Sequence, residues 1–157
     1  MIILGIDPGS RYTGWGVIKV EGNRLVYLKA GRLVLGDIAH AERLVLIYDG
    51  LADIVSAYEP EIVAIECVFV SKNAQSALKL GQARGAAMLA AAKQGKQLIE
   101  VEPRLVKKIV TGYGAAGKMS VGDMVSRLLS CKASLSVDAA DALAIAISAS
   151  SIMRSRV

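Results

Sequence analysis

Apolar residues follow two periods along this chain, and the switches between them mark its elements. Met1–Asp7 is an apolar run that ends on a carboxylate, and Pro8-Gly9 then turns the chain, which predicts a first strand and a tight turn. Thr13–Val20 predicts a second strand joined hairpin-fashion, and Gly22-Asn23 separates it from Arg24–Leu35, an alternating third strand. From about Ala39 to Tyr58 the residues Leu44, Ile47, Tyr48, Leu51, Ile54 and Val55 recur at helical spacing, and Glu59-Pro60 stops that helix. Ile62–Val70 is a fourth strand, apolar throughout apart from Glu66, as expected of a strand covered on both faces. A long helix over 73–92 follows, with Gly81 and Gly85 inside it, and Leu98–Val101 is a short fifth strand. Pro103–Val110 and Ser120–Leu129 predict two helices around the glycine-rich stretch Thr111–Lys118. A last helix runs from about Val137 to Ser148, with a frayed tail after about residue 150.

The order βββαβαβ followed by helices predicts an α/β fold: a five-stranded mixed sheet with helices on both faces, in a single domain over residues 1–157. With 54% apolar residues and no low-complexity tract, the chain is expected to be ordered. No apolar run is long enough to span a membrane and no signal-peptide pattern opens the chain, so a cytoplasmic location is expected. Cys67 and Cys131 are too few for a disulfide framework, and His40, the one histidine, reads as a surface residue. Any metal would then be held by oxygen, which favours Mg²⁺ or Mn²⁺ over zinc.

Charge narrows the picture. The net charge is +5, but residues 72–132 carry eleven Lys/Arg against Glu100, Glu102 and Asp123, so that stretch is +8 and the remainder −3. The asymmetry suits a polyanionic partner, although an ordinary solvated basic surface is the plainer alternative.

Four acids stand out against apolar surroundings. Asp7 closes the first strand, where it either caps the turn or waits for a partner. Glu66 interrupts the fourth strand with no Lys or Arg nearby in sequence, so it either lies on an exposed edge or has a function. Asp138 and Asp141, at i and i+3, share one face near the start of the last helix, where capping accounts more readily for one of them than for both. Four carboxylates with no Cys or His beside them suit a pair of Mg²⁺ ions about 4 Å apart, the arrangement that clamps attacking and leaving oxygens in phosphoryl displacement. With a basic segment to hold a phosphodiester backbone, this reads as a metal-dependent nuclease.

The motifs that carry these residues resemble the RuvC family of Holliday junction resolvases, over Ile3 to about Ile147. They are Gly5-Ile-Asp7-Pro-Gly-Ser-Arg11 with Thr13-Gly14, Ile65-Glu66, Val68-Phe69, Lys72-Asn-Ala74, Ser76-Ala-Leu-Lys-Leu-Gly-Gln-Ala-Arg-Gly85 and Asp138-Ala-Ala-Asp-Ala-Leu-Ala-Ile-Ala146. The resemblance implies a ribonuclease-H-like fold, a homodimer and two Mg²⁺ per active site, with Mn²⁺ as a substitute. It implies paired symmetric cuts in opposite strands of a four-way DNA junction, leaving 5′-phosphates and 3′-hydroxyls, in recombination and repair alongside RuvA and RuvB. By position, Asp7, Glu66, Asp138 and Asp141 match the family's catalytic and metal-holding acids. Phe69 matches an aromatic that stacks on junction bases, and Lys107 and Lys118 match basic residues that handle DNA. Arg11 and Lys72 lie in the same motifs and join the DNA-binding set.

The small-xxx-small pair Gly81 and Gly85 costs about 1 kcal/mol each in helix propensity. Close contact with another element accounts for it, either the chain's own sheet or the dimer partner that the resemblance implies. Phe69 likewise reads either as core or as a stacking platform. Where the family carries Gln after the glutamate, this chain has Cys67; alternation puts it on the face opposite Glu66, so the carboxylate need not move, while an amide hydrogen bond is lost. Some members carry a His near the fourth acid, and none stands there in this chain, which leaves metal-activated water as nucleophile. Two rivals follow: a junction-binding module without catalysis, and an actin-like phosphotransferase, for which the chain lacks a second lobe and a second phosphate loop.

Overall fold

The computed structural model describes residues 1–68, 72–112 and 120–155. The elements, in order, are β1 (Ile2–Asp7), β2 (Tyr12–Glu21), β3 (Arg24–Val34), α1 (His40–Tyr58), β4 (Ile62–Glu66), α2 (Ala74–Ala92), β5 (Gln97–Val101), α3 (Pro103–Thr111), α4 (Val121–Leu128) and α5 (Val137–Ser155). The five strands form one sheet in the order β3-β2-β1-β4-β5. The first three form an antiparallel meander, while β4 and β5 run parallel to β1. The expected mixed sheet is present.

Alternation along β1 and β4 divides the core in two. Leu4, Ile6, Val63 and Ile65 meet Ile47, Leu51 and Val55 of α1 and Ala83 and Ala87 of α2 on one face. On the other, Ile3, Ile62, Ala64, Ile99 and Val101 meet α3, α4 and the apolar run of α5. Residues 62–65 are buried on both sides, as their unbroken hydrophobicity predicts.

Two boundaries differ from the sequence expectation by more than a single residue. The fourth strand ends at Glu66, with Cys67 and Val68 already outside it, while Phe69 and Val70 of the expected strand lie outside the described residues. Its parallel ladders would continue through the N–H groups of residue 8 on one side and residue 103 on the other, and both are proline. The last helix does not fray after residue 150 but runs to Ser155. The serines that read as its end bond back to their own helix: Ser148 Oγ to the Ala144 carbonyl at 2.8 Å and Ser150 Oγ to the Ile147 carbonyl at 2.7 Å. Both are buried, and Ile152 and Met153 beyond them pack on the core.

Helix α5 lies almost in contact with the sheet. A Cβ on Gly5 would come within 2.0 Å of the Ala142 carbonyl oxygen, and one on Gly14 within 2.0 Å of the Asp138 carbonyl oxygen. Only glycine lets the helix backbone approach this closely. That contact sets the start of α5 against the end of β1. No helix among the described residues is long and apolar enough to cross a membrane.

Candidate active site

Where β1 and β4 end side by side, Asp7 and Glu66 follow Ile3-Gly5 and Ile62-Ala64 in facing α5. Helix α5 supplies Asp138 and Asp141 from its first turns. Neither acid serves as its cap, because Ser136 Oγ already accepts the Ala139 N–H at 3.2 Å. Asp7, Glu66 and Asp141 line one cleft of about 210 Å³, together with Lys107 of α3. Asp138 stands at its side.

The electrostatics of this cleft are uncompensated. Asp7 is pushed up from 3.8 to about 7, first by burial and then by Asp141, Glu66 and Asp138. Glu66 is raised by burial and by Asp141, and Asp141 by burial and by Asp138. Among the described residues no hydrogen-bond donor meets the carboxylates of Asp7, Glu66 or Asp141. The turn-cap reading of Asp7 therefore falls, and so does the edge-strand reading of Glu66, because β4 lies between β1 and β5. Among the described residues no three carboxylates close up into a ready-made metal cage. The donor set nevertheless fits a hard divalent cation: it is all oxygen, half-buried and short of positive charge.

The other candidate residues are spread more widely. Arg11 is exposed and lines a separate hollow of about 300 Å³ with Tyr12 and Arg43. Lys72 is exposed just before Asn73, whose side chain caps α2. Gly81 and Gly85 are exposed, and a Cβ on either would meet nothing within 4 Å, so packing on the chain's own sheet does not explain them. Phe69 and Lys118 lie outside the described residues, as does most of the glycine-rich stretch. His40 is half-buried rather than superficial, with Nε2 2.6 Å from Gln82 Oε1, an α1–α2 bridge. Cys67 lies on the α2 face, as alternation predicts, with Sγ 3.8 Å from Glu100 Oε2; burial, then Glu100, pushes its thiol up.

Sequence reading missed two arginines. Arg32 of β3 lies opposite Gly14, stacks on the Tyr12 ring at 4.1 Å and reaches Asp138 Oδ2 at 3.5 Å. Arg84 of α2 donates from Nε to the Glu66 carbonyl at 2.9 Å. Neither stood out in sequence, because a lone arginine in an amphipathic strand or helix looks like ordinary surface.

A five-stranded mixed sheet flanked by helices, with acids on two adjoining strand ends and on the helix that crosses them, defines the ribonuclease-H-like class of nuclease fold. Within that class, residues 3–149 match the family model described as crossover junction endodeoxyribonuclease RuvC. A Haemophilus ducreyi protein of that name is 52% identical over 93% of this chain and 76% of its own length; one from Pectobacterium atrosepticum is 53% identical over 93% and 86%. The Thermus thermophilus RuvC structure superposes with a TM-score of 0.87 at 32% identity, covering 99% of this chain and 97% of that one. The same bacterium's RuvC in complex with a Holliday junction substrate also gives 0.87, at 29% identity over 99% and 96%. The chain belongs to the RuvC family of crossover junction endodeoxyribonucleases, DNA-acting hydrolases that depend on divalent metal.

Proposed function

We propose that this protein resolves Holliday junctions by cutting two opposite strands symmetrically, with Asp7, Glu66, Asp138 and Asp141 as its metal-holding acids. The observation that carries this is the cleft shared by Asp7, Glu66, Asp141 and Lys107, in which three half-buried carboxylates have no protein donor among the described residues. Two Mg²⁺ ions, with Mn²⁺ as substitute, fit that donor set. When bound, they would supply a lowered pKa for an attacking water and charge stabilisation for the departing 3′-oxygen, which would leave 5′-phosphate and 3′-hydroxyl ends.

The chain's own groups do the rest. Asp7 is fixed by its strand and by the Pro8 turn, and would give up its proton to solvent on holding a cation. Lys107, on the wall of the cleft, pairs with the phosphate beside the one to be cut. Arg11, Lys72 and Lys118 hold more of the backbone, and Phe69 stacks on an unpaired base at the crossover. Gly81 and Gly85, open to solvent in the monomer, let α2 approach its counterpart in a homodimer, which brings a second active site to the opposite strand. RuvA and RuvB present the junction, and the work takes place in the cytoplasm.

The test is a synthetic four-way junction with Mg²⁺, its cut ends mapped on every strand. Paired cuts at symmetric positions that a ligase can seal are expected. Binding without any cut would leave only the junction-binding module.

A further inference from the structure

We propose that Arg84 is a positioning residue for Glu66: from α2 it supplies the hydrogen bond that the sheet cannot make to the Glu66 backbone carbonyl. The proposal rests on the reading of Glu66 as a metal-holding acid.

The ladder shows why that bond is missing. Cys67 donates its N–H to the Val101 carbonyl at 2.9 Å, so residue 67 turns its peptide groups toward β5. By alternation, those of Glu66 turn toward β1. The register there runs from Ile3↔Ile62 to Ile6↔Ile65, which sets Glu66 beside Asp7. In a parallel ladder the carbonyl of residue 66 would then accept from the N–H of residue 8. That residue is Pro8, which has none.

Arg84 fills the gap. Its Nε donates to the Glu66 carbonyl at 2.9 Å, and Nη2 donates to Glu100 Oε2 at 2.5 Å. The side chain is only 16% exposed, so the planar fork is held between a strand end and the neighbouring strand. The Glu66 carboxylate leaves the same residue on the other face, into the cleft. Fixing its carbonyl therefore fixes the backbone plane from which the side chain is aimed, at the point where both ladder neighbours are proline. Cys67 completes the group from below, with Sγ 3.8 Å from the same Glu100 oxygen. Because α2 also carries the open faces of Gly81 and Gly85, a shift of this helix against the sheet reaches Glu66 through one side chain.

The test uses the full chain as Arg84→Gln, which removes the fork, and Arg84→Lys, which keeps the charge and the buried stem and is the variant expected to fold if the first does not. Mn²⁺ affinity is read by the electron paramagnetic resonance of free ion, alongside backbone hydrogen exchange over 62–68 in metal-free protein and junction affinity in Ca²⁺. A weakening of Mn²⁺ affinity by about tenfold is expected, with faster exchange confined to 62–68 and junction affinity unchanged. Cleavage should fall in kcat with KM for the junction unmoved. Unaltered Mn²⁺ affinity and exchange in a folded variant would overturn the role of Arg84, and so would exchange that quickens throughout the molecule, which marks a merely structural prop. Glu66→Gln in parallel separates the two readings. If it too leaves Mn²⁺ affinity untouched, the assignment of Glu66 fails and the proposal with it; if it weakens binding while both Arg84 variants do not, only Arg84 falls.

Discussion

Asp7 holds its proton near neutrality because it is half-buried among three other carboxylates, and this has a measurable cost in the metal-free protein. Its folded value, about 7, lies above the ordinary 3.8, so between those two pH values the folded state binds the extra proton. Stability is fully present below that window and declines as pH rises through it. Asp7→Asn should therefore raise stability in EDTA at pH 8 by on the order of 2 kcal/mol, and lose that advantage once Mg²⁺ is added. Urea melts with and without Mg²⁺ check this; a less stable variant in EDTA would show that the carboxylate is satisfied within the protein. Arg32 calls for a different experiment. Its guanidinium, stacked on Tyr12, stands 3.5 Å from Asp138 and partly offsets the charge that a cation would meet there. Arg32→Ala should tighten Mn²⁺ binding by about two- to fivefold at low salt, and an equilibrium titration reads the change. The acids were legible in the sequence because each interrupts an apolar run. The arginines were not, since their partners lie 18 residues away for Arg84 and 106 for Arg32.

At the scale of elements, the glycine contacts beneath α5 do the positioning. A Cβ at Gly5 would drive into the Ala142 carbonyl, and no flexible side chain is there to give way. Gly5→Ala should cost about 3 kcal/mol, measured by denaturant unfolding, and should lower cleavage further than the folded fraction accounts for, because Asp138 and Asp141 move with the helix. Stability within a few tenths of wild type would mean that α5 does not bear on the sheet there. The type of every described element was legible from its period, its unbroken apolar run or the breakers around it, whereas two ends were not. The fourth strand stops because of Pro8 and Pro103, both distant in sequence, and only the sheet order makes them its neighbours. The last helix runs past its serines because their hydroxyls bond inward, and no hydrophobicity pattern records that.

For the whole molecule, the acidic cleft must accept a polyanion, so the basic middle of the chain and the cations must act together. Junction affinity should fall by about tenfold or more between roughly 50 and 200 mM salt, with a shallower slope in Lys107→Ala plus Lys118→Ala. An unchanged slope would remove those lysines from the DNA interface. Gly81→Ala with Gly85→Ala should leave the protomer as stable or firmer, since a Cβ meets nothing there. It should shift the proposed homodimer toward monomer in sedimentation, and an unaltered association state would place the contact elsewhere. The most direct measurement takes Asp7→Asn, Glu66→Gln, Asp138→Asn and Asp141→Asn one at a time on a synthetic four-way junction, with cleavage read in Mg²⁺ and binding in Ca²⁺. Each should lose about 100-fold or more in cleavage rate while keeping its grip on the junction; any one that still cuts at close to the wild-type rate would contradict the shared metal site.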